Sequence, residues 1–347
     1  MVHKTSRFLI PLHHGLLCPL LFLSGLSLAA WAAPDPEPPA GKSPQAYEQR
    51  QTLDDLDYWL RNMLLSHRYS WEEAAGVTGL SIKEIQDAAQ RAGIDFETAS
   101  YPFPANRTGV LPYPGGRHPR IGFLEGAINP RRATKASVFL PWDTQSYVVI
   151  DLPEAIFHGE DLIFLAHTHI PTVWDKQNLT LLWNDWFRKP DGGLEGEWRL
   201  PDGVEFGASI HSGTAGVEMG LWLRNGTEQT LCGLRAQVCV MLKGAAGFTE
   251  QTNANKRFEA PVAAVRSGLG NRWILTAWSP CGRVWGNAEV PCFHADPVFP
   301  DCSPGETVRA RGRLWFYEGT GIESEIERAK VWFTPSPENG EPRDPHR

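Results

Sequence analysis

The stretch from Trp273 to Gly319 reads WILTAW (Trp273–Trp278), SPCGRVWGNAEVPCFHADPVFPDC (Ser279–Cys302) and SPGETVRARGRLWFYEG (Ser303–Gly319). Its two ends are rich in β-branched and aromatic residues, which predicts a strand at each end. The middle piece holds three cysteines, one histidine and four prolines, and we interpret it as a loop without strands. Long irregular connections in compact domains are usually functional or disordered, and Trp, Phe and Cys do not suit disorder. We therefore expect an organised, functional loop.

Short apolar and aromatic runs, separated by Gly, Pro, Asn and Asp, fill the chain between Phe103 and this stretch. They predict strands, because helical periodicity is absent there. The predicted strands are Ala136–Leu140, Tyr147–Asp151, Leu162–His167, Val204–Ile210, Val217–Arg224, Leu234–Leu242, Trp273–Trp278 and Val308–Tyr317. So many strands without helices between them predict a mainly β fold, a large antiparallel β-sandwich over residues 103–335.

Residues 46–98 show the helical period instead, with leucines at three- and four-residue steps. Ser70 and Glu73 have capping-box spacing, and Ile82, Ile85 and Ala89 are expected to face inward. The pattern is typical of a small helix-turn-helix-like unit. Acidic residues in the second helix argue against DNA binding, so we expect a structural or partner-docking unit.

The N-terminus predicts export. Lys4 and Arg7 precede an apolar run from Leu16 to Leu28, and Ala30-Trp31-Ala32 offers small residues for cleavage near residue 33. We interpret residues 1–32 as a signal peptide, with a membrane anchor as the alternative. Residues 33–45 form a Pro-rich linker and residues 336–347 a disordered tail. The protein is therefore expected in the periplasm or outside the cell.

Charge and cysteine content narrow the function. The net charge of -7 lacks the basic footprint of a nucleic-acid binder. Export permits disulfides, and Cys292 could pair with Cys302 or with Cys281. A zinc site from those three cysteines and His294 is less favoured, because no CxxC spacing supports it. We predict neither a cofactor nor a metal, and no membrane association beyond the signal segment.

Three clusters could carry chemistry. The first holds Arg117, His118, Arg120 and Glu125 beside a Gly-Gly pair; arginine suits carboxylates, phosphates or sugar hydroxyls, and a solvated loop is the alternative.

The second cluster is FLAHTHIPTVWD, where His167 and His169 share a strand face and Trp174 and Asp175 follow. Two such histidines could bind a metal in a hydrolase, but hydrogen bonding to a ligand is favoured, because the other ligands of HxH metal families are missing.

The third cluster lies in the loop described first. His294 and Asp296 stand two residues apart, and Arg283 and Trp285 are close in sequence. A histidine beside a carboxylate can form an acid/base pair, and a tryptophan can stack on a sugar ring. The alternative is that Asp296 simply caps a turn before a proline.

The order LPDGVEFGASI, VEMGLWLRNGTEQTL, RWILTAW, HADP and SPGETVRARGRLWFYE resembles the galactose mutarotase-like supersandwich of aldose 1-epimerases and related carbohydrate-active proteins. The resemblance runs from about Gly109 to Tyr317. It implies a carbohydrate ligand and an acid/base pair that opens an aldose ring. Asp296, before a proline, stands where the family has a catalytic Glu, and His167 or His169 would supply the acid. The whole chain also resembles a group of exported bacterial proteins.

We therefore predict an exported, carbohydrate-recognising β-sandwich, with mutarotase- or epimerase-like isomerase activity as its candidate chemistry. The catalytic candidates are Asp296, His294, His169 and His167, and the ligand-binding candidates are Arg117, His118, Arg120, Glu125, Trp174, Asp175, Arg283 and Trp285. The main alternative is a noncatalytic envelope or interaction protein that docks through residues 46–98, with its aromatic residues in the core.

Overall fold

The computed structural model of the protein describes residues 55–95, 103, 107–117, 134–167, 170–181 and 184–333. The expected signal peptide, linker and tail lie outside the described residues, as do His118, Arg120, Glu125 and His169. Within the described part of the chain, no helix is long and apolar enough to cross a membrane.

The described residues form four α-helices and fifteen strands. The helices are α1 (Leu56–Leu60), which continues into a π-helical turn at Arg61–Ser66, α2 (Trp71–Thr78), α3 (Ile82–Arg91) and α4 (Ile322–Phe333). The strands are β1 (Val110–Pro112), β2 (Lys135–Leu140), β3 (Asp143–His158), β4 (Asp161–Leu165), β5 (Phe187–Arg188), β6 (Leu194–Arg199), β7 (Glu205–Ser212), β8 (Gly216–Arg224), β9 (Leu234–Met241), β10 (Lys256–Glu259), β11 (Val262–Arg266), β12 (Arg272–Ser279), β13 (Cys281–Gly286), β14 (Cys292–Pro297) and β15 (Thr307–Glu318).

The strands form two antiparallel sheets that enclose one hydrophobic core. The first sheet has the order β1-β2-β3-β9-β14-β13, and β4 also pairs with β3. The second has the order β10-β11-β12-β15-β8-β7-β6-β5. The predicted mainly β sandwich, preceded by a few helices, is therefore confirmed, and each predicted strand overlaps an observed one.

The core shows why the two strands of the opening stretch lie side by side. Trp278 in β12 is fully buried and faces Gly312 in β15. A Cβ atom on Gly312 would lie 2.4 Å from the Trp278 ring, so only glycine leaves room for the indole at this position. Burying a tryptophan removes a large apolar surface from water, which stabilises the contact between the sheets.

The outer face of the second sheet is covered by α4, which the sequence analysis missed. Ile322, Ile326 and Ala329 of this helix pack on Leu275 of β12 and on Trp315 of β15. The predicted β region therefore ends in a helix.

The predicted loop between β12 and β15 is wrong in one respect: it contains the hairpin β13–β14. In β14, Phe293 and Ala295 face the core while Cys292, His294 and Asp296 face outward. This alternation has the period of a strand, and the polar residues at every second position hid it.

The helices α1–α3 pack on the outer face of the first sheet. Ser70 and Glu73 form the predicted capping box at the start of α2. In α3, Ile85 and Ala89 are buried, as predicted. Ile82, however, is 38% exposed: it shares a helix face with Ala89, but it is the first residue of α3 and lies at the end of that face.

A buried histidine joins these helices to the sheet. His67 Nε2 lies 2.7 Å from Ser137 Oγ in β2 and its Nδ1 lies 3.0 Å from the Asn62 carbonyl oxygen. The rings around it belong to Tyr69, Tyr113, Phe139 and Tyr147. Burial lowers the pKa of His67 to about 3, so the imidazole is neutral in the folded protein.

The neutral His67 predicts a loss of stability in acid. The unfolded chain protonates this side chain below a pH of about 6.5 and the folded chain does not, so the free energy of unfolding falls by about 1.4 kcal/mol per pH unit from there towards the folded pKa. We expect His67→Gln to be less stable at pH 8 and the gap to wild type to narrow on acidification. Urea unfolding between pH 5 and pH 8 measures this; parallel curves for the two proteins contradict it.

Candidate functional site

A row of outward side chains crosses five strands of the first sheet. Lys135 on β2 pairs with Asp151 on β3, and Asp151 pairs with Cys239 on β9. Cys239 in turn pairs with His294 on β14, which pairs with Trp285 on β13. Side chains in such register lie on one face of a sheet and touch across strands. Two of the predicted site residues, Trp285 and His294, thus lie in this row. We call the row, together with the outward side chains that contact it, the platform; His167, Arg283 and Asp296 are among those side chains.

Glu154 joins this platform through an irregularity in β3. The pairing of β3 with β9 shifts between Asp151 and Ala155, so β3 carries extra residues there. Bulges of this kind re-aim side chains. As a result Glu154 faces outward, and its Oε2 atom accepts a hydrogen bond from Gln237 Nε2 at 2.6 Å.

His167, two residues beyond β4, lies between two carboxylates. Its Nε2 atom is 3.3 Å from Asp151 Oδ2 and 3.3 Å from Glu154 Oε1. Lys135 Nζ contacts the other oxygen of Asp151 at 2.8 Å. All four side chains are buried. Burial alone would raise the pKa of Asp151, but Lys135 and His167 outweigh it and hold that pKa well below its usual range.

The charges of the platform nearly cancel. Lys135 and Arg283 provide two positive charges, against three negative charges from Asp151, Glu154 and Asp296. A protonated His167, between Asp151 and Glu154, would complete the balance. Buried charges are tolerated when they are paired and hydrogen-bonded, so these paired charges require no added cation. Asp151, Glu154 and His167 also have metal-ligand spacing, but Lys135 already pairs a positive charge with Asp151.

Asp296 is held by three donors. Its Oδ2 atom accepts hydrogen bonds from Arg283 Nε at 2.7 Å and from Trp285 Nε1 at 2.8 Å, and its Oδ1 atom accepts one from the Val238 amide at 3.1 Å. Three donors fix the orientation of this carboxylate. The alternative that Asp296 merely caps a turn therefore does not describe its position in β14.

His294 lies under Trp285 and beside two carboxylates. The two rings stack with centroids 3.9 Å apart. His294 Nδ1 is 3.8 Å from Asp296 Oδ1 and 3.9 Å from Glu154 Oε2, and among the described residues it has no hydrogen-bond partner. The other ring nitrogen, Nε2, lies 3.8 Å from Cys292 Sγ.

Access to this platform lies at the hairpin edge. The side chain of Arg283 is 49% exposed, whereas that of Asp296 is 6% exposed. Trp285 is half-buried. Glu154, His167 and His294 are buried. A ligand would therefore meet Arg283 first.

The structure assigns other contacts to the remaining predicted site residues. Arg117 contacts Glu73 in α2 and donates to the His67 carbonyl oxygen at 3.0 Å. Trp174 is 7% exposed, belongs to the core, and donates to the Ile163 carbonyl oxygen. Asp175 Oδ2 accepts from the backbone N–H of Thr172, which closes a short turn. None of the three lies in the platform described above.

Sequence reasoning missed Lys135, Asp151, Glu154 and Gln237. One signal was available: Asp151 ends the apolar run YVVID, and a charged residue inside a buried strand needs a partner. The register that brings Lys135 and Asp151 together depends on strand pairing, which the sequence does not show.

The predicted disulfides of the hairpin are absent. Cys281 and Cys302 carry free thiols, so neither can be the partner of Cys292. The proposed zinc set also fails, because Cys281 and Cys302 do not belong to the groups of described side chains with metal-ligand spacing. Burial and Asp296 raise the pKa of Cys281 to about 11, which makes it a poor nucleophile.

A cavity of about 670 Å³ lies elsewhere, beside β10–β12 and the start of α4, and its lining includes Arg257, Asn271 and Glu323. None of the predicted site residues lines it. We favour the platform because its carboxylates and histidines converge, whereas the cavity is lined by residues of β10–β12, the start of α4 and the loops next to them, without a comparable cluster of carboxylates and histidines.

No protein-family model and no curated protein matches the chain. Three solved structures show limited similarity. The Slr1438 protein of Synechocystis has 11% identity and a TM-score of 0.34 over 55% of this chain and 91% of its own. A putative kojibiose phosphorylase from the human microbiome has 6% identity and a TM-score of 0.33, over 53% of this chain and 25% of its own. A heparan sulfate lyase from Pedobacter heparinus has 9% identity and a TM-score of 0.31, over 76% and 42%.

This chain therefore spans 25% of the phosphorylase and 42% of the lyase. At these identities and TM-scores the similarities establish neither a family nor an activity for it, and the resemblance to the mutarotase-like superfamily stays a prediction.

The Lys135–Asp151 pair predicts a large effect on stability. Lys135→Met leaves a fully buried carboxylate without its main partner, which costs about 3–5 kcal/mol of unfolding free energy. Adding Asp151→Asn to that variant removes the stranded charge, so we expect part of the loss to be recovered. Urea unfolding at pH 7 measures both.

Lys189→Met is the matched control, because Lys189 and Glu195 form a partly exposed ion pair. Such pairs contribute about 0–1 kcal/mol. Equal destabilisation by Lys135→Met and Lys189→Met would contradict the prediction.

Proposed function

We propose that this chain is a carbohydrate-recognising β-sandwich protein whose ligand binds at the edge formed by Arg283, Trp285 and Asp296. The observation that carries the proposal is the convergence of an exposed guanidinium, an oriented carboxylate and a carboxylate–imidazole set on one sheet face. A neutral sugar offers many hydroxyl groups that both donate and accept, so planar polar groups in fixed positions are the partners it needs.

Recognition begins at Arg283. Its guanidinium bridges Asp296 Oδ2 and Gln237 Oε1, at 2.7 and 3.3 Å. When this exposed side chain turns outward, the carboxylate and the amide become available to vicinal hydroxyl groups, while the guanidinium itself donates to them. Trp285 keeps Asp296 in place through its indole N–H and packs against His294. Its ring then serves to position the carboxylate rather than to stack on a sugar.

The buried groups behind Asp296 support acid/base chemistry of the epimerase type. Ring opening of an aldose needs a base at the anomeric hydroxyl and an acid at the ring oxygen. Asp296 supplies the base, and His294, between Asp296 and Glu154, supplies the acid. His167 Nε2 contacts Glu154 from the other side, at 3.3 Å.

A second candidate is a noncatalytic envelope or interaction protein that docks through residues 46–98. Burial favours it: Trp174, predicted to meet a ligand, lies in the core.

For either function we propose that the chain is exported to the periplasm or beyond, as residues 1–32 indicate.

The test is binding of the purified chain to a panel of mono- and polysaccharides by calorimetry. We expect Asp296→Asn and Arg283→Gln each to weaken binding of a sugar ligand at least about tenfold, equivalent to about 1.4 kcal/mol. Polarimetry on bound aldoses then reports epimerase-like turnover, which His294→Gln should abolish.

Asp301→Asn and Arg272→Gln are the matched controls, because both residues are exposed or nearly so and lie outside the platform. Binding that the controls weaken as much as the site variants would contradict this site. Absence of binding by folded wild-type protein would overturn carbohydrate recognition and favour the interaction protein.

A further inference from the structure

The side of His294 that faces away from the carboxylates meets two thiols. Cys292 lies two residues before His294 on β14, and Cys239 on β9 is the cross-strand partner of His294. The three ligand atoms, two Sγ and the imidazole Nε2, all lie within 4.8 Å of one another. All three side chains are buried. This group is separate from the carboxylate side of the ring that the proposed function uses.

We propose that Cys239, Cys292 and His294 form a binding site for a thiophilic metal ion, with Zn²⁺ as the ion of reference. Two thiolates and one imidazole are ligands that zinc prefers, and the fourth position would take a water or another small donor.

The observed spacing is close to that of a zinc site. Zinc lies about 2.3 Å from a cysteine sulfur and about 2.0–2.1 Å from a histidine nitrogen, so tetrahedral geometry separates sulfur and nitrogen by about 3.6 Å. Cys292 Sγ and His294 Nε2 are 3.8 Å apart. This pair needs a contraction of about 0.2 Å to reach the tetrahedral separation. Cys239 Sγ, which lies within 4.8 Å of both atoms, needs at most about 1.2 Å, and side-chain rotations on the paired strands β9 and β14 can supply it.

The far side of the imidazole has the partners that a metal-binding histidine needs. A ligand histidine coordinates through one nitrogen and donates its other N–H to a carboxylate or carbonyl. Here Nδ1 points at Asp296 Oδ1 and Glu154 Oε2, at 3.8 and 3.9 Å, without yet forming a hydrogen bond. Coordination at Nε2 fixes the proton on Nδ1, where either carboxylate can accept it.

The charges also balance. Binding of Zn²⁺ replaces the two thiol protons, which pass to solvent, so a neutral thiol pair becomes a neutral zinc dithiolate. Lys256 lies close enough for both thiols to affect its pKa: burial lowers that pKa, and the thiols oppose the shift. Its ammonium group is bound to Asn253 Oδ1 and to the Asn287 carbonyl oxygen.

The experiment is titration of the reduced full chain with Zn²⁺, using a competing chromophoric chelator, together with Co²⁺ as a spectroscopic probe. We expect one equivalent to bind, with sulfur-to-cobalt charge-transfer absorption. Between pH 7 and pH 8 the affinity should rise by up to about a hundredfold per pH unit, since two thiol protons are released.

Cys239→Ser and Cys292→Ser are each expected to abolish the charge-transfer band or reduce it strongly, and to weaken zinc binding at least about a hundredfold. Cys281→Ser is the matched control, because its half-buried thiol lies on the same hairpin but outside the group. It should bind like wild type. Circular dichroism confirms that each variant is folded.

Failure of the reduced, folded wild-type protein to bind Zn²⁺ or Co²⁺ overturns the proposal. So does an unchanged cobalt spectrum in both Cys239→Ser and Cys292→Ser. Because sugar binding depends on Arg283 and Asp296, and the metal readout depends on the two cysteines, failure of either proposal leaves the other open to its own test.

Discussion

The outer face of the first sheet buries ionisable side chains. In most β-sandwiches the residues at such positions are either apolar and buried or polar and exposed. Lys135 and Asp151 are both fully buried and pair across β2 and β3. Removing two charges from water is expensive, and their attraction offsets that cost only if the remaining polar atoms also find partners. From this pair a chain of contacts runs through His167, Glu154 and Gln237 to Arg283 at the surface. The buried Lys135–Asp151 pair is thus connected through this chain of contacts to the exposed edge of the platform.

On the same sheet face, His67 is buried in its neutral form, whereas Asp151 is buried in its charged form. Around Ser137, aromatic rings enclose His67, and burial keeps the imidazole uncharged. At Asp151 the neighbouring Lys135 keeps the carboxylate charged despite burial. The difference follows from the neighbours: rings and neutral hydrogen-bonding groups cannot compensate a charge, whereas an ammonium can. One face of the sheet is therefore divided into an apolar part under α1–α3 and a charged part beside the hairpin β13–β14.

The sequence predicted the apolar part of this face, under α1–α3, better than the charged part beside β13–β14. Leucine spacing and the Ser70–Glu73 box located the helices, and apolar runs located eight strands, because both signals are local. His294, Asp296, Arg283 and Trp285 were found as a group because they lie within one hairpin. Lys135, Asp151 and Glu154 come from β2 and β3, far away along the chain, and their meeting depends on strand order and on an irregular register. Trp174 shows the converse error: composition suggested a ligand surface, whereas an aromatic residue next to a strand more often enters the core.

The sequence CFHADP of β14 explains why a thiol and a carboxylate lie on opposite sides of the His294 imidazole. Its period of two places Cys292, His294 and Asp296 on the same face in sequence order, so His294 has a thiol on one side and a carboxylate on the other. The two ring nitrogens are about 2 Å apart and cannot both serve as acceptors in the neutral imidazole, where one carries the proton. A cation at Nε2 would hold that proton on Nδ1, facing Asp296 and Glu154, and would make it a better donor to them. The charge on the carboxylates at the hairpin edge is then coupled to the thiol side of His294 through a single ring.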